Sequence, residues 1–148
     1  MNPTDPSANA YLKTRVLTAT PEELRLMLLD GAIKFARQGR EAIDRKDHEG
    51  IYSGVSQCRA IVAELMTSIR DDVEPTLADR VRGVYMFLFR ELLDVGMNRS
   101  VAQLDRVIEL LEYELETWAL VMQKLARERG DAREAAKPAR PAAISVQA

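Results

Sequence analysis

Residues 51–69 read IYSGVSQCRAIVAELMTSI. Along this stretch Ile51, Val55, Cys58, Val62, Leu65 and Ile69 step by 4, 3, 4, 3 and 4 residues. That spacing lines up apolar side chains along one face of an α-helix and predicts the seam of a helical bundle, with the helix opening near Asp47. The same alternation recurs on both sides. Upstream, Thr20-Pro21-Glu22-Glu23 is a start signal: Thr20 can accept from the third amide of the helix, Pro21 suits its first position, and Glu23 can reach back in a capping box. Leu24, Met27, Leu28, Gly31, Phe35 and Ile43 then form the expected inner stripe, until Asp44-Arg45-Lys46-Asp47 marks a turn. Downstream, Pro75 breaks the chain and Thr76-Leu77-Ala78-Asp79 offers an N-cap. Leu77, Val81, Val84, Leu88, Leu92 and Val95 make the next stripe, with Gly96 placed to end it as a left-handed residue. Ser100-Val101-Ala102-Gln103 reads as a further capping box, ahead of Leu104, Ile108, Leu111, Leu115, Trp118, Met122 and Leu125. Four helices joined by short connections, with no strand-like alternation, predict an all-α fold, an antiparallel up-down four-helix bundle.

The flanks differ from this centre. Residues 1–19 hold prolines and small polar residues together with Tyr11, Leu12, Val16 and Leu17, an N-terminal arm with an apolar handle expected to dock on something. Residues 20–126 form the bundle. From 127 to 148 Ala, Arg, Glu and Pro dominate, with five basic and three acidic groups, so a disordered C-terminal tail is expected. The whole chain has 148 residues, 47% hydrophobic and 30% charged, which suits one globular core. Its 21 Lys and Arg against 23 Asp and Glu provide no positive field for a phosphate backbone, so nucleic acid is not an expected partner. One cysteine, no signal-peptide pattern at the start and no apolar run long enough to span a bilayer point to a cytoplasmic protein without a membrane partner.

Few residues of the chain suggest chemistry. His48, the only histidine, stands in the charged turn Asp47-His48-Glu49 with no second imidazole or triad partner. Cys58 lies on the apolar stripe, where a small core residue is the plainer reading. Asp71, Asp72 and Glu74 lack the glycine and ligand order of a calcium loop. Gly50 and Gly54 suggest a loosely capped helix start or a close helix crossing. Asp30-Gly31 in mid-helix costs stability against alanine, and reads either as room for a neighbouring helix or as a polar anchor on a partner-facing side. No catalytic residue, metal site or cofactor is expected.

What stands out is an apolar surplus. Leu24, Leu26, Met27, Leu28 and Leu29 wrap around the first bundle helix, so Leu26 and Leu29 cannot both face the same core as Leu24 and Leu28. Val84 to Phe89 are six consecutive apolar residues, leaving Met86, Phe87 and Phe89 in need of company beyond the main stripe. Either these helices are the most buried pair, or they carry an apolar groove for a partner helix, shielded by the arm.

The run Leu17-Thr18-Ala19-Thr20-Pro21-Glu22-Glu23-Leu24, followed by Met27-Leu28-Leu29-Asp30-Gly31-Ala32-Ile33, closely resembles the flagellin-specific export chaperones of the FliS family. The likeness continues in Ala10-Tyr11, in Phe89-Arg90-Glu91-Leu92-Leu93 and around Thr117-Trp118, covering about residues 10–125. It implies a four-helix bundle, not an enzyme, that binds the C-terminal segment of flagellin in the cytoplasm, prevents its premature polymerisation and assists its secretion through the flagellar export apparatus. By position the arm role falls on Tyr11 and Leu17, and the family signature on Leu24, Met27, Leu28, Asp30, Gly31 and Ile33, with Trp118 in the last helix. The chain departs from the pattern at Leu29, where a tyrosine usually precedes Asp-Gly, and at Glu114, where a basic residue is common. The expected client-binding surface is Tyr11, Leu17, Leu26, Leu29, Asp30, Met86, Phe87 and Phe89. Export-gate components remain open as second partners. The alternatives are a structural bundle that self-associates as a homodimer through the same faces, an adaptor for another helical client, and a cofactor-bearing bundle.

Overall fold

Three helices of the bundle begin where a side chain accepts from a first-turn amide. In the computed structural model, which describes residues 6–69 and 75–136, the elements are α1 (Pro6–Thr18), α2 (Pro21–Asp44), α3 (His48–Thr67), α4 (Pro75–Asn98) and α5 (Val101–Ala136). Thr20 Oγ1 accepts from the Glu23 amide at 3.1 Å and the Glu23 carboxylate accepts from the Thr20 amide at 3.4 Å, completing the expected capping box. Asp47 caps α3 by accepting from the Gly50 amide at 3.0 Å. α4 opens on Pro75 itself, one residue before the expected Thr76 cap, because proline needs no partner for an amide it lacks. α4 also runs through Gly96 to Asn98, and the residue that turns left-handed is Arg99, at φ 54°. Only half of the Ser100 box forms. Ser100 Oγ accepts from the Gln103 amide at 3.2 Å, but the Ser100 amide donates to Asn98 Oδ1 at 2.9 Å, and the Gln103 side chain bonds Asn98 and Glu91 instead.

The bundle closes as a ring: α2 packs on α3, α3 on α4, α4 on α5 and α5 back on α2. Short turns between consecutive helices make neighbours antiparallel, the up-down arrangement expected from the sequence. α2 and α3 approach most closely. A Cβ on Gly54 would stand 2.6 Å from Gly39 N and 2.7 Å from the Phe35 carbonyl oxygen, so these backbones touch and the close crossing belongs to Gly39 and Gly54. Gly31 does not serve that purpose, since a Cβ there would meet only Ile61 Cδ1 at 3.5 Å.

This crossing also corrects the inner face of α2. Leu29, Ala32, Ile33, Ala36, Gly39 and Ala42 are buried, whereas Leu24, Met27 and Leu28 are half-buried. The helix is thus turned by about one residue, about 100°, from the stripe that its large side chains suggest. Alanine and glycine face α3 because nothing larger fits, and Leu28, Phe35 and Ile43 cover the edges of the core. On α4 the buried positions are Ala78, Tyr85, Leu88, Leu92 and Val95. Tyr85 therefore takes the place expected for Val84, and Leu77 is exposed. The stripes of α3 and of the first half of α5 are as expected: Ile51, Val55, Cys58, Val62 and Leu65 are buried opposite Leu104, Ile108 and Leu111, and Val107 joins them.

The two flanks also differ from expectation. The arm is helical from Pro6, but Tyr11, Leu12, Val16 and Leu17 are all exposed and α1 packs extensively on none of the four other helices. Residues 127–136, expected to belong to the tail, continue α5 with every residue exposed. Residues 137–148 lie outside the described residues, as do the arm's first five and Asp71, Asp72 and Glu74.

Candidate functional site

Among the described residues no charged residue is buried and no buried polar side-chain atom lacks a partner. The interior is sealed, so whatever the molecule binds must use its outside. Exposed there on α4 are Met86 (39%), Phe87 (52%), Leu93 (42%) and Met97 (86%). Met86, Leu93 and Met97 are spaced by 7 and 4 residues, one face of a helix, with Phe87 beside Met86. Large apolar side chains aligned in this way are unfavourable in water and suit the apolar face of a partner helix. Tyr113, Leu120 and Val121 on α5 and the α1 residues extend the exposed apolar area.

The expected site residues divide between the outside and the core. Tyr11, Leu17, Asp30, Met86 and Phe87 are exposed, and Leu26 and Phe89 are half-buried, Phe89 packing against the core. Leu29 is fully buried and cannot line an open surface. The rotation of α2 towards α3 accounts for this, because the position that points inward is Leu29 and not Leu28. α2 and α4 are also diagonal in the ring, so Leu26 and the pair Met86 and Phe87 do not share the wall of one groove. Asp30 instead faces a shallow polar depression with Lys34, Arg37, Gln38 and Glu41. Of the signature residues, Ile33 is in the core, Leu28 and Trp118 pack against it, and Leu24, Met27 and Gly31 are half-buried.

One constellation had no clear signal in the sequence. Where α2 begins and α3 ends, Arg25 Nη2 donates to Ser68 Oγ at 2.8 Å, Nη1 donates to the Tyr85 hydroxyl at 3.4 Å, and Cζ stands 4.9 Å from the centre of the Trp118 ring. Burial raises the Glu114 carboxyl above its ordinary range, against the opposing pull of Arg25 and of a hydrogen bond with Tyr85. Burial likewise raises the Tyr85 hydroxyl, with the Glu114 charge adding to the shift. The acidic residue at 114 thus has a cation to face. All four bundle helices or their ends meet in this cluster, which fastens one end of the ring. Its hydrogen-bonding capacity is spent internally, so it offers no site for chemistry.

Other candidates for reactivity are equally quiet. Cys58 is fully buried, and burial pushes its thiol up to about 12, far from a nucleophile's range. His48 sits exposed at the first position of α3. Among the described residues no three His, Cys, Asp or Glu side chains gather as a metal set, and no helix is long and apolar enough to cross a membrane.

The described residues thus form a sealed helical bundle with an apolar row exposed on α4. Residues 4–125 match the family described as Flagellar protein FliS. The chain is also similar to the Flagellar secretion chaperone FliS of Bacillus subtilis (strain 168), 28% identical over 120 residues that cover 81% of this chain and 89% of that one. It is 24% identical over 110 residues to the Flagellar secretion chaperone FliS of Campylobacter jejuni subsp. jejuni serotype O:6, covering 74% of this chain and 86% of that one. The chain belongs to the FliS family, a chaperone family and not an enzyme family.

Proposed function

We propose that this protein is a cytoplasmic flagellar secretion chaperone that binds the C-terminal segment of flagellin, keeps that segment from polymerising early, and assists its passage to the export apparatus. Family membership supports the flagellar setting. The observation that carries the binding mode is the exposed row of Met86, Leu93 and Met97 with Phe87 on the outer face of α4. A client segment that is disordered when free would fold against this face, gaining burial of its own apolar side and losing part of that gain to ordering. Methionine suits the task because its flexible thioether adapts to irregular partners. Tyr11 and Leu17, carried on a helix that stands away from the bundle, are proposed to close over or flank the client.

The test is calorimetric titration of the full chain with the C-terminal segment of flagellin from the same organism, with light scattering for stoichiometry. A saturable one-to-one complex with a negative heat-capacity change is expected. A folded chain that shows no heat of binding, or that scatters as a dimer whose mass does not change with added segment, would refute it and favour self-association through the same face.

A further inference from the structure

The start of α3 and the end of α4 enclose a small cleft, of about 120 Å³, between His48, Tyr52, Ser56 and Arg59 on one side and Gly96 and Arg99 on the other, with Ile51 and Val55 as its floor. Its lining contains two arginines and no carboxylate, although the chain as a whole carries a net charge of -2. Neither Arg59 nor Arg99 makes an ion pair or side-chain hydrogen bond among the described residues, in contrast to Arg37, Arg40 and Arg45, which all face acidic partners. Of the two acidic residues that flank His48, Asp47 is committed to the Gly50 amide and faces Arg45.

Two backbone features point to the same place. Gly96 lies inside α4 without a positive φ, and a Cβ there would meet nothing within 4 Å. Neither a tight turn nor a close neighbour therefore requires glycine at a position where alanine would favour the helix. Gly96 leaves its stretch of the cleft wall without a side chain. Arg99 takes the left-handed conformation that glycine or asparagine normally fills after a helix. That conformation, which Lys46 also takes at the turn after α2, sets the arginine at the rim of the cleft.

We infer that this cleft receives an acidic side chain, a glutamate or aspartate flanked by apolar residues in a partner polypeptide. The two guanidinium groups supply forked donors that match a carboxylate, and the Tyr52 hydroxyl and the His48 imidazole add hydrogen-bonding groups around it. The apolar floor selects a ligand with a carbon body over a bare anion, and the volume suits one side chain. The cleft lies about 14 Å along α4 from Phe87, at 1.5 Å per residue. It adjoins Met97, where the apolar row ends, and is a second point of attachment there.

The test uses amide NMR spectra of the nitrogen-labelled full-length chain, titrated with acetyl-Leu-Glu-Leu-Glu-Leu-amide and with its glutamine counterpart. Saturable shifts are expected at the Tyr52, Arg59, Gly96 and Arg99 amides, with the glutamine peptide binding at least about tenfold more weakly. Gly96→Leu, which fills the cleft, and the double variant Arg59→Gln with Arg99→Gln should each abolish the shifts while circular dichroism stays unchanged. The double variant alone decides the matter should Gly96→Leu fail to fold. Absence of shifts at these four amides, equal affinity for both peptides, or equal affinity for inorganic phosphate would overturn the inference. No flagellin enters the assay, so failure here leaves the client-binding proposal standing.

Discussion

Replacing Gly54 with alanine should destabilise the protein, against the general rule that alanine improves a helix. The new Cβ would lie 2.6 to 2.8 Å from three backbone atoms of Phe35 and Gly39, where about 3.5 Å or more is comfortable. Backbone cannot rotate out of the way, so α2 and α3 must separate by several tenths of an ångström. The contacts of Ala36, Val55 and Cys58 loosen with them. Overpacking of this kind costs about 3 kcal/mol, the upper end of the usual range, and the gain in helix propensity returns about 1 kcal/mol. The net loss is about 2 kcal/mol. With 148 residues and an unfolding entropy of about 2.1 cal/mol/K for each, Tm should fall by about 6 °C. Gly83→Ala is the matched control, because Gly83 is helical, exposed and has nothing within 4 Å of a Cβ. It should raise Tm by about 3 °C. Thermal melts followed by far-UV circular dichroism read both. If Gly54→Ala stabilises the protein as Gly83→Ala does, the close crossing is not the contact that sets the geometry of the bundle.

Three further outcomes follow from the burial pattern. Phe87→Asp should leave helicity and Tm nearly unchanged while weakening the flagellin segment at least about tenfold in calorimetry, and unchanged affinity would remove Phe87 from the surface. Cys58 should resist a thiol reagent at mildly alkaline pH until the chain unfolds, because its thiol is buried and raised to about 12; labelling as fast as in denaturant would contradict that burial. Glu114 has a folded pKa raised above its unfolded value of about 4.3. Its contribution to stability is therefore fully present below that value and is lost as pH rises through the folded pKa. Glu114→Gln should remove this decline from the pH dependence of the urea midpoint, and an identical pH profile in the variant would count against it.

Where burial follows bulk, the sequence was readable. The α3 stripe from Ile51 to Leu65 and the α5 residues Leu104, Ile108 and Leu111 are large, regularly spaced and buried as their period dictates. The Thr20 and Asp47 caps were equally legible, because capping is local chemistry. The orientation of α2 was not. Its inner face is made of Ala32, Ala36, Gly39 and Ala42, residues that carry weak hydrophobic signal, and only the partner glycine on α3 reveals why they face inward. Ending α4 at Gly96 also hid Met97, the most exposed large apolar residue of that helix. The Arg25 cluster joins residues up to 93 positions apart in the chain, Arg25 to Trp118, and no local pattern encodes such a meeting.

These errors share a cause that bears on function. A bundle needs only enough apolar surface to seal a ring, and small residues at the α2–α3 crossing reduce that need further. Among the large apolar residues then left over are Met86, Phe87, Leu93 and Met97 on α4, Tyr113, Leu120 and Val121 on α5 and the apolar residues of α1. None of the buried core depends on them. A partner seated on α4 could therefore arrive and leave without opening the bundle, and the free protein would need no nucleotide-driven cycle to reset. Binding and folding should for that reason respond to different substitutions. Leu29→Asp, inside the ring, should abolish the cooperative melt, whereas Phe87→Asp, outside it, should leave the melt intact and alter only the affinity for the client.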